Sequence, residues 1–162
     1  EGDTNLSELG EFMKASEDQL LIFSGDLSFL NLSNEQTAIY DCIEDLVERD
    51  VSIKVLCRVD LVSYENVQKM LELNFKHGKD CIEIRHREQP VRGFVSDSKR
   101  LRLKEIKEPT GDISDLNQKV FLFYTIKDRE WSEWMAKNFW NMFSESISSD
   151  KRIEEIKKLR PG

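Results

Sequence analysis

Pro90-Val91-Arg92-Gly93-Phe94-Val95-Ser96-Asp97 is the stretch from which the rest of this chain is read. Two opposite charges, Arg92 and Asp97, flank an apolar centre that reads as a short strand over residues 91–96. Pro90 offers neither a functional side chain nor a backbone donor. The Arg92 guanidinium is a planar fork suited to phosphate, carboxylate or paired hydroxyl oxygens. Charge gathers around this octapeptide. Residues 85–107 hold eight Lys/Arg against three acids, a local +5 in a chain of net charge −7, so the remainder carries −12.

A length of 162 residues fits one domain with a real core. The 39% hydrophobic and 34% charged content suits a water-exposed α/β domain and argues against disorder. The acidic total gives generic nucleic-acid binding no support. No apolar run reaches the length of a membrane span, and no signal peptide opens the chain. Cys42, Cys57 and Cys81 are odd in number and lack metal spacing, so they read as small core residues in a reducing cytoplasm. Glu1 stands where a methionine would start a full chain, which suggests a segment of a longer protein.

Upstream of the octapeptide, strands and helices alternate. Residues 5–17 form a helical lead-in through Leu6, Leu9, Phe12 and Met13. Leu20 to Phe23 is a buried strand entering the loop Ser24-Gly25-Asp26. Ser33 and Gln36 have capping-box spacing, which predicts a helix from Ser33 through Ala38, Ile39, Cys42, Ile43, Leu46 and Val47. A strand follows over 51–57. A helix over 63–76 buries Val67, Met70, Leu71 and Phe75 and ends at Gly78, and a third strand covers 81–87. This order implies parallel pairing with right-handed crossovers.

Downstream, the helices between strands disappear. Strands over 91–96, 100–106 and 119–126 follow one another, with Pro109-Thr110-Gly111-Asp112 as the longest loop. A helix over 128–147 carries the stripe Trp131, Trp134, Met135, Phe139, Met142 and Phe143. Trp140 lies off that stripe and is a candidate intersubunit contact. The expected architecture is α/β: a mixed sheet, parallel at its start and antiparallel at its end, with helices on both faces. Its expected division is a lead-in over 1–17, a domain over 18–149 and a charged, helical segment over 150–162.

This order, together with the spacing from Pro90 through Arg92 to Asp97, resembles one repeat of the phospholipase D superfamily over roughly residues 18–147. That family's half-site is His-x-Lys-x-x-x-x-Asp. Here proline holds the histidine position, arginine the lysine position, and only the aspartate is retained. The family's Gly-Ser-x-Asn element is replaced by Lys104-Glu105-Ile106-Lys107. The resemblance therefore implies a degenerate half-site on a catalytic scaffold. It resembles the effector domains of archaeal TrmB-type transcription regulators, in which such a fold follows a winged-helix DNA-binding domain. Family enzymes bring two half-sites together, which implies a homodimer with the two Arg92 regions near its axis.

The expected function is non-catalytic ligand sensing, with any DNA contact made outside this segment and no membrane involvement. The ligand-binding candidates are Arg92, Asp97, His86, Ser24, Asp26 and Glu88, and the effector is small and anionic or polyhydroxylated. Regular strand alternation would place His86, Glu88 and Arg92 on one face. No cofactor motif and no metal-ligand set is present. His77 beside Gly78 reads as a dipole-stabilised surface histidine. Two rival readings stand beside this one. The first is a homodimeric phosphodiesterase or nuclease that recruits His86 as nucleophile. The second is a purely structural dimerisation module.

Overall fold

The computed structural model describes residues 2–108 and 119–159. The 109–112 loop expected from Pro109-Thr110-Gly111-Asp112 lies outside the described residues. Helix α1 (Gly2–Lys14) leads into strand β1 (Gln19–Phe23), a 3₁₀ turn (Ser28–Asn31), α2 (Ile39–Glu48) and β2 (Ser52–Cys57). Then follow α3 (Tyr64–His77), β3 (Ile82–His86), β4 (Gly93–Ser96), β5 (Arg100–Lys107) and β6 (Val120–Ile126). The described chain closes with α4 (Arg129–Ser144), β7 (Ile147–Ser148) and α5 (Ser149–Lys158).

One seven-stranded sheet runs β6-β5-β4-β1-β2-β3-β7. Strands β1, β2 and β3 are parallel, and β4, β5 and β6 join antiparallel on one side. Strand β7 closes the other side antiparallel to β3. The mixed sheet expected from the loss of intervening helices after residue 90 is the observed one.

Alternation along the strands sorts side chains between two cores. Leu20 and Ile22 of β1 join Ile53, Val55, Ile82 and Ile84 under α1, α2, α3 and Ile153 of α5. Leu21 and Phe23 point the other way, into a smaller core with Leu56, Val95, Leu101 and the α4 residues Met135, Ala136, Phe139 and Phe143. Leu9, Phe12 and Met13 place α1 within the larger core. Burial pushes the Cys57 thiol up to about 12, so this side chain stays protonated and packs as an apolar group.

Local chemistry corrects three sequence expectations. Residues 33–38 are not the first turn of a helix: α2 starts at Ile39, and Ser33 and Ala38 form an isolated antiparallel bridge. The Asn34 carboxamide oxygen accepts from the Gln36 and Thr37 backbone N–H groups at 2.8 and 2.7 Å, and this Asx turn wins over the Ser33 cap. On α3, Phe75 is 85% exposed and Leu73 is buried in its place. The neighbouring Asn74 accepts from the Cys81 and Ile82 N–H groups and donates to Ile82 O, tying the end of α3 to β3. On α4, Trp131 and Trp134 face outward, and the buried stripe is Ser132, Met135, Ala136, Phe139 and Phe143. Small Ser132 and Ala136 let this helix approach the sheet, and Ser132 Oγ donates to Asp128 O at 2.8 Å.

Candidate functional site

The parallel strands deliver their C-terminal ends to one edge of the sheet, where open α/β sheets hold ligands. A cavity of about 390 Å³ opens there, lined by Ser24, Gly25, Arg58, Arg87, Glu88, Gln89 and Arg92. Ser24 and Gly25 follow β1, Arg58 follows β2, and Arg87 to Gln89 follow β3. Arg92 is the residue before β4. Three arginines against Glu88 give the lining a formal charge of +2.

Backbone bonds hold these ends together. Gly25 O accepts from Arg58 N at 2.8 Å, Cys57 O from Arg87 N at 2.8 Å, and Leu56 O from Ser24 N at 2.9 Å. Gln89 is buried and spans the cavity floor. Its Nε2 donates to Ser24 O at 3.2 Å, and its Oε1 accepts from Val91 N at 2.8 Å. Ser24 Oγ accepts from Leu27 N at 3.1 Å and keeps its hydroxyl proton free to donate.

Arg92 is bent over Gly25. Its Nη1 donates to the carbonyls of Gln89 and Val91 at 2.5 and 2.8 Å. Its Nε and Nη2 bond to no described residue, and no carboxylate among the described residues lies within ion-pair distance. A Cβ on Gly25 would stand 3.0 Å from Nη2 and 3.1 Å from Nε, so the bare glycine backbone makes the space Arg92 occupies. Burial, and then the nearby positive Arg58, push the Arg92 pKa below its usual value. Arg58 itself is matched by Asp60 at 2.7 Å. Among the described residues, Arg87 has only the distant, exposed Glu145 at 3.9 Å. An incoming anion thus meets two guanidinium groups that the protein itself leaves largely uncompensated.

Of the six candidates from the sequence, Ser24, Glu88 and Arg92 line this cavity. Asp26 sits beside it, within electrostatic reach of Arg58 and Arg92. Burial raises the Asp26 carboxyl. The hydrogen bonds from Ser28 and the positive Arg58 outweigh that and hold it below the usual range.

His86 is elsewhere. It closes β3, and its Nδ1 accepts from Val59 N at 2.9 Å, a bond that requires the unprotonated nitrogen. Burial and the nearby Arg152 push its pKa down. Strand geometry ends at His86, so alternation does not carry on to Glu88 and Arg92.

Asp97 lies at the opposite end of β4 from Arg92. Its carboxylate accepts from the backbone N–H groups of Glu17, Asp18 and Gln19 at 2.9, 2.8 and 2.9 Å. Burial raises this carboxyl, but the three bonds outweigh it and hold the pKa below the usual value. Asp97 and Ser98 adopt left-handed backbone, with φ of 54° and 56°, in the turn between β4 and β5. Between the two ends, Gly93 is buried where any Cβ would run into the backbone oxygen of Arg102.

Arg58, Arg87 and Gln89 were not among the sequence candidates. Arg58 and Arg87 had a legible signal, because each directly follows a strand of the parallel set. Gln89 had none. Away from the cavity, Glu44, Glu48 and His77 bring ligand-type atoms within 4.8 Å of one another. Lys76 Nζ already sits 2.6 Å from the Glu44 carboxylate, beside His77 Nε2 at 2.7 Å, so the group reads as an ion-pair cluster. Among the described residues no helix is long and apolar enough to cross a membrane.

No family sequence model and no curated protein sequence matches this chain. Solved structures do. NucT from Helicobacter pylori superposes with a TM-score of 0.63 at 11% identity, over 91% of this chain and 92% of that one. Nuc from Salmonella typhimurium, a phospholipase D family member, gives 0.59 at 6% identity over 88% of each. TrmBL2, an archaeal chromatin protein with its own mode of DNA binding, gives 0.60 at 13% identity. That match covers 90% of this chain and 50% of TrmBL2, so this chain spans about half the length of that relative. The fold of this chain is therefore phospholipase D-like, similar to that of TrmB-type proteins.

Proposed function

We propose that this is a non-catalytic, phospholipase D-like sensing domain, which binds a small anionic or polyhydroxylated effector at the ends of the parallel strands. The observation that carries the reading is Arg92. It takes the cation position of the half-site, stands in an open cavity with Arg58 and Arg87, and among the described residues has no carboxylate within ion-pair distance. Pro90 takes the nucleophile position and brings no reactive group. His86, the rival nucleophile, uses Nδ1 to hold Val59 and does not line the cavity. The openness of the cavity speaks for ligand binding over a purely structural module.

In this reading the domain is the effector part of a longer, homodimeric transcription regulator. DNA is contacted by a domain outside this segment, as the half-length match to TrmBL2 suggests. Three free cysteines fit a reducing cytoplasm. Asp26 and Glu88 would orient hydroxyl groups of the effector, while Arg58, Arg87 and Arg92 take its charge.

The test has two arms. A thermal-shift screen with inorganic phosphate, phosphorylated sugars, dicarboxylates and neutral sugars should find stabilisers, which titration calorimetry then quantifies. Chromogenic phosphodiesters should not be turned over. Hydrolysis that co-purifies with the protein and vanishes in His86→Ala would make it an enzyme. Failure of every compound to stabilise the protein would leave the structural module as the better reading.

A further inference from the structure

Strand β6 ends the sheet with nothing paired to its outer edge among the described residues. The opposite edge is protected, since β7 is two residues long and α5 packs beside it. Among the described residues the β6 edge has no such protection. Its sequence, Val120-Phe121-Leu122-Phe123-Tyr124-Thr125-Ile126, holds no charge and no proline, the usual devices that keep edge strands apart. Both of its faces are also open. Phe121 and Phe123 lie on one face with Ile106 of β5, all of them 38–48% exposed. Val120 and Tyr124, 40% and 42% exposed, lie on the other face with Leu122. Unpaired backbone and two apolar faces on one strand make a surface that water solvates poorly.

We infer that β6 pairs antiparallel with β6 of a second copy, about a two-fold axis centred on Leu122, so that one sheet runs through the dimer. A strand that is neutral along its whole length pairs with itself without like charges meeting. Charge also disfavours a neighbouring register. Centring on Phe123 would put Lys119 opposite the partner's Lys127, a destabilising pair. Centring on Leu122 puts Lys119 opposite Thr125, Val120 opposite Tyr124, and Phe121 opposite Phe123. Cross-strand aromatic pairs of this kind are stabilising. The cations of this region sit one strand back on β5, with Lys104 over the Phe121 ring at 4.7 Å and Arg102 over the Phe123 ring at 5.4 Å. They brace the rings without approaching the axis.

This geometry revises the expectation of Arg92 at the axis. Gly93 pairs with Leu103 and Leu103 with Tyr124, so β5 and β6 of each copy stand between its Arg92 and the axis. A two-fold perpendicular to the sheet reverses the strand direction, and the two cavities then open at opposite ends of the continuous sheet. Each effector site is complete within one chain. The dimer does not depend on the sensing role, and its test leaves the anion cavity untouched.

The experiment combines sedimentation with site-specific cross-linking of the chain. In a Cys81→Ser background, Leu122→Cys places two thiols opposite each other across the axis. Directly opposed residues in antiparallel strands have Cα atoms roughly 4.5–5.5 Å apart, within reach of a disulfide. Oxidation should give a covalent dimer, and Thr125→Cys, carried far from its own copy by the same register, should not. The double change Phe121→Glu with Phe123→Glu should raise the dimer dissociation constant by roughly tenfold or more, with unchanged circular dichroism because both rings are exposed. A wild-type chain that sediments as a monomer up to its solubility limit would overturn the inference. So would a dimer that resists both the Leu122→Cys cross-link and the glutamate pair.

Discussion

The two ends of β4 carry opposite charges, and the fold treats them in opposite ways. At one end, the Asp97 carboxylate is saturated by three backbone N–H groups from the residues that open β1. At the other, Arg92 spends one nitrogen on its own loop and turns the rest toward a cavity with two further arginines. Four residues separate them. A saturated charge is a structural anchor, because nothing is left for a ligand to gain. An uncompensated one is available to a ligand, because an arriving anion would offset its desolvation. One end of β4 is thus anchored by the fold, and the other is left open to the ligand of the proposed function.

Removing Asp97 should have the largest effect and break this contrast at its structural end. Asp97→Ala strips three N–H groups of their acceptor and puts alanine at φ 54°. A loss of roughly 2–4 kcal/mol in urea unfolding is expected, on the scale of hydrogen bonds to a charged group discounted for solvent exposure. Asp97→Asn keeps an acceptor and tolerates the left-handed turn, so it should cost only about 1 kcal/mol. The pKa of Asp97 is lowered on folding. Its stabilising contribution is therefore complete above about pH 4 and falls away as pH drops through the folded value. The stability gap between wild type and Asp97→Asn should narrow in that acid range. A gap independent of pH would show that the charge itself contributes nothing.

At the Arg92 end, Arg92→Ala should cost about 1–2 kcal/mol in unfolding, for two hydrogen bonds to its own loop, and weaken binding of an anionic hit by roughly 1.5–3 kcal/mol in calorimetry. Equal affinities would remove Arg92 from the site. Lost folding would make both ends of β4 structural and erase the contrast. Gly25→Ala sharpens the same point through space. The added methyl presses on the tip of a flexible side chain, so stability should hold while anion affinity drops less than in Arg92→Ala. An unchanged affinity would mean that the position of Arg92 over Gly25 is unimportant for binding.

His86→Ala should have the smallest effect, about 1 kcal/mol of stability for one hydrogen bond to Val59, with anion affinity retained. Folding lowers the His86 pKa. Its contribution is therefore complete above about pH 6.5 and declines as pH falls through the folded value. A selective loss of anion binding in this variant would bring His86 back into the site.

Much of this was legible from residues alone, and the particular failures show why the rest was not. The parallel strands, the hairpins after residue 90 and the end of α3 at Gly78, with φ 61°, are written in local periodicity and turn chemistry. The α4 stripe was misread by about one residue, because periodicity favours large apolar side chains. Close approach to the sheet instead selects small Ser132 and Ala136 and turns Trp131 and Trp134 outward. The helix expected from Ser33 lost to an Asn34 turn that the spacing rule did not weigh.

The site divides along the same line. Arg92 could be singled out because its spacing to Asp97 resembles the phospholipase D half-site, and the strand order pointed to the end of the sheet where open α/β sheets hold ligands. These features depend on short-range covalent and hydrogen-bonding rules, which one segment can express. Which charges are spoken for depends on atoms brought together from far along the chain. Residues 17–19 saturate Asp97 from 78–80 positions away in sequence, while Arg58 and Arg87 arrive from two separate strand ends. Only tertiary packing sets those distances, because electrostatic pairing acts through space and is indifferent to sequence order.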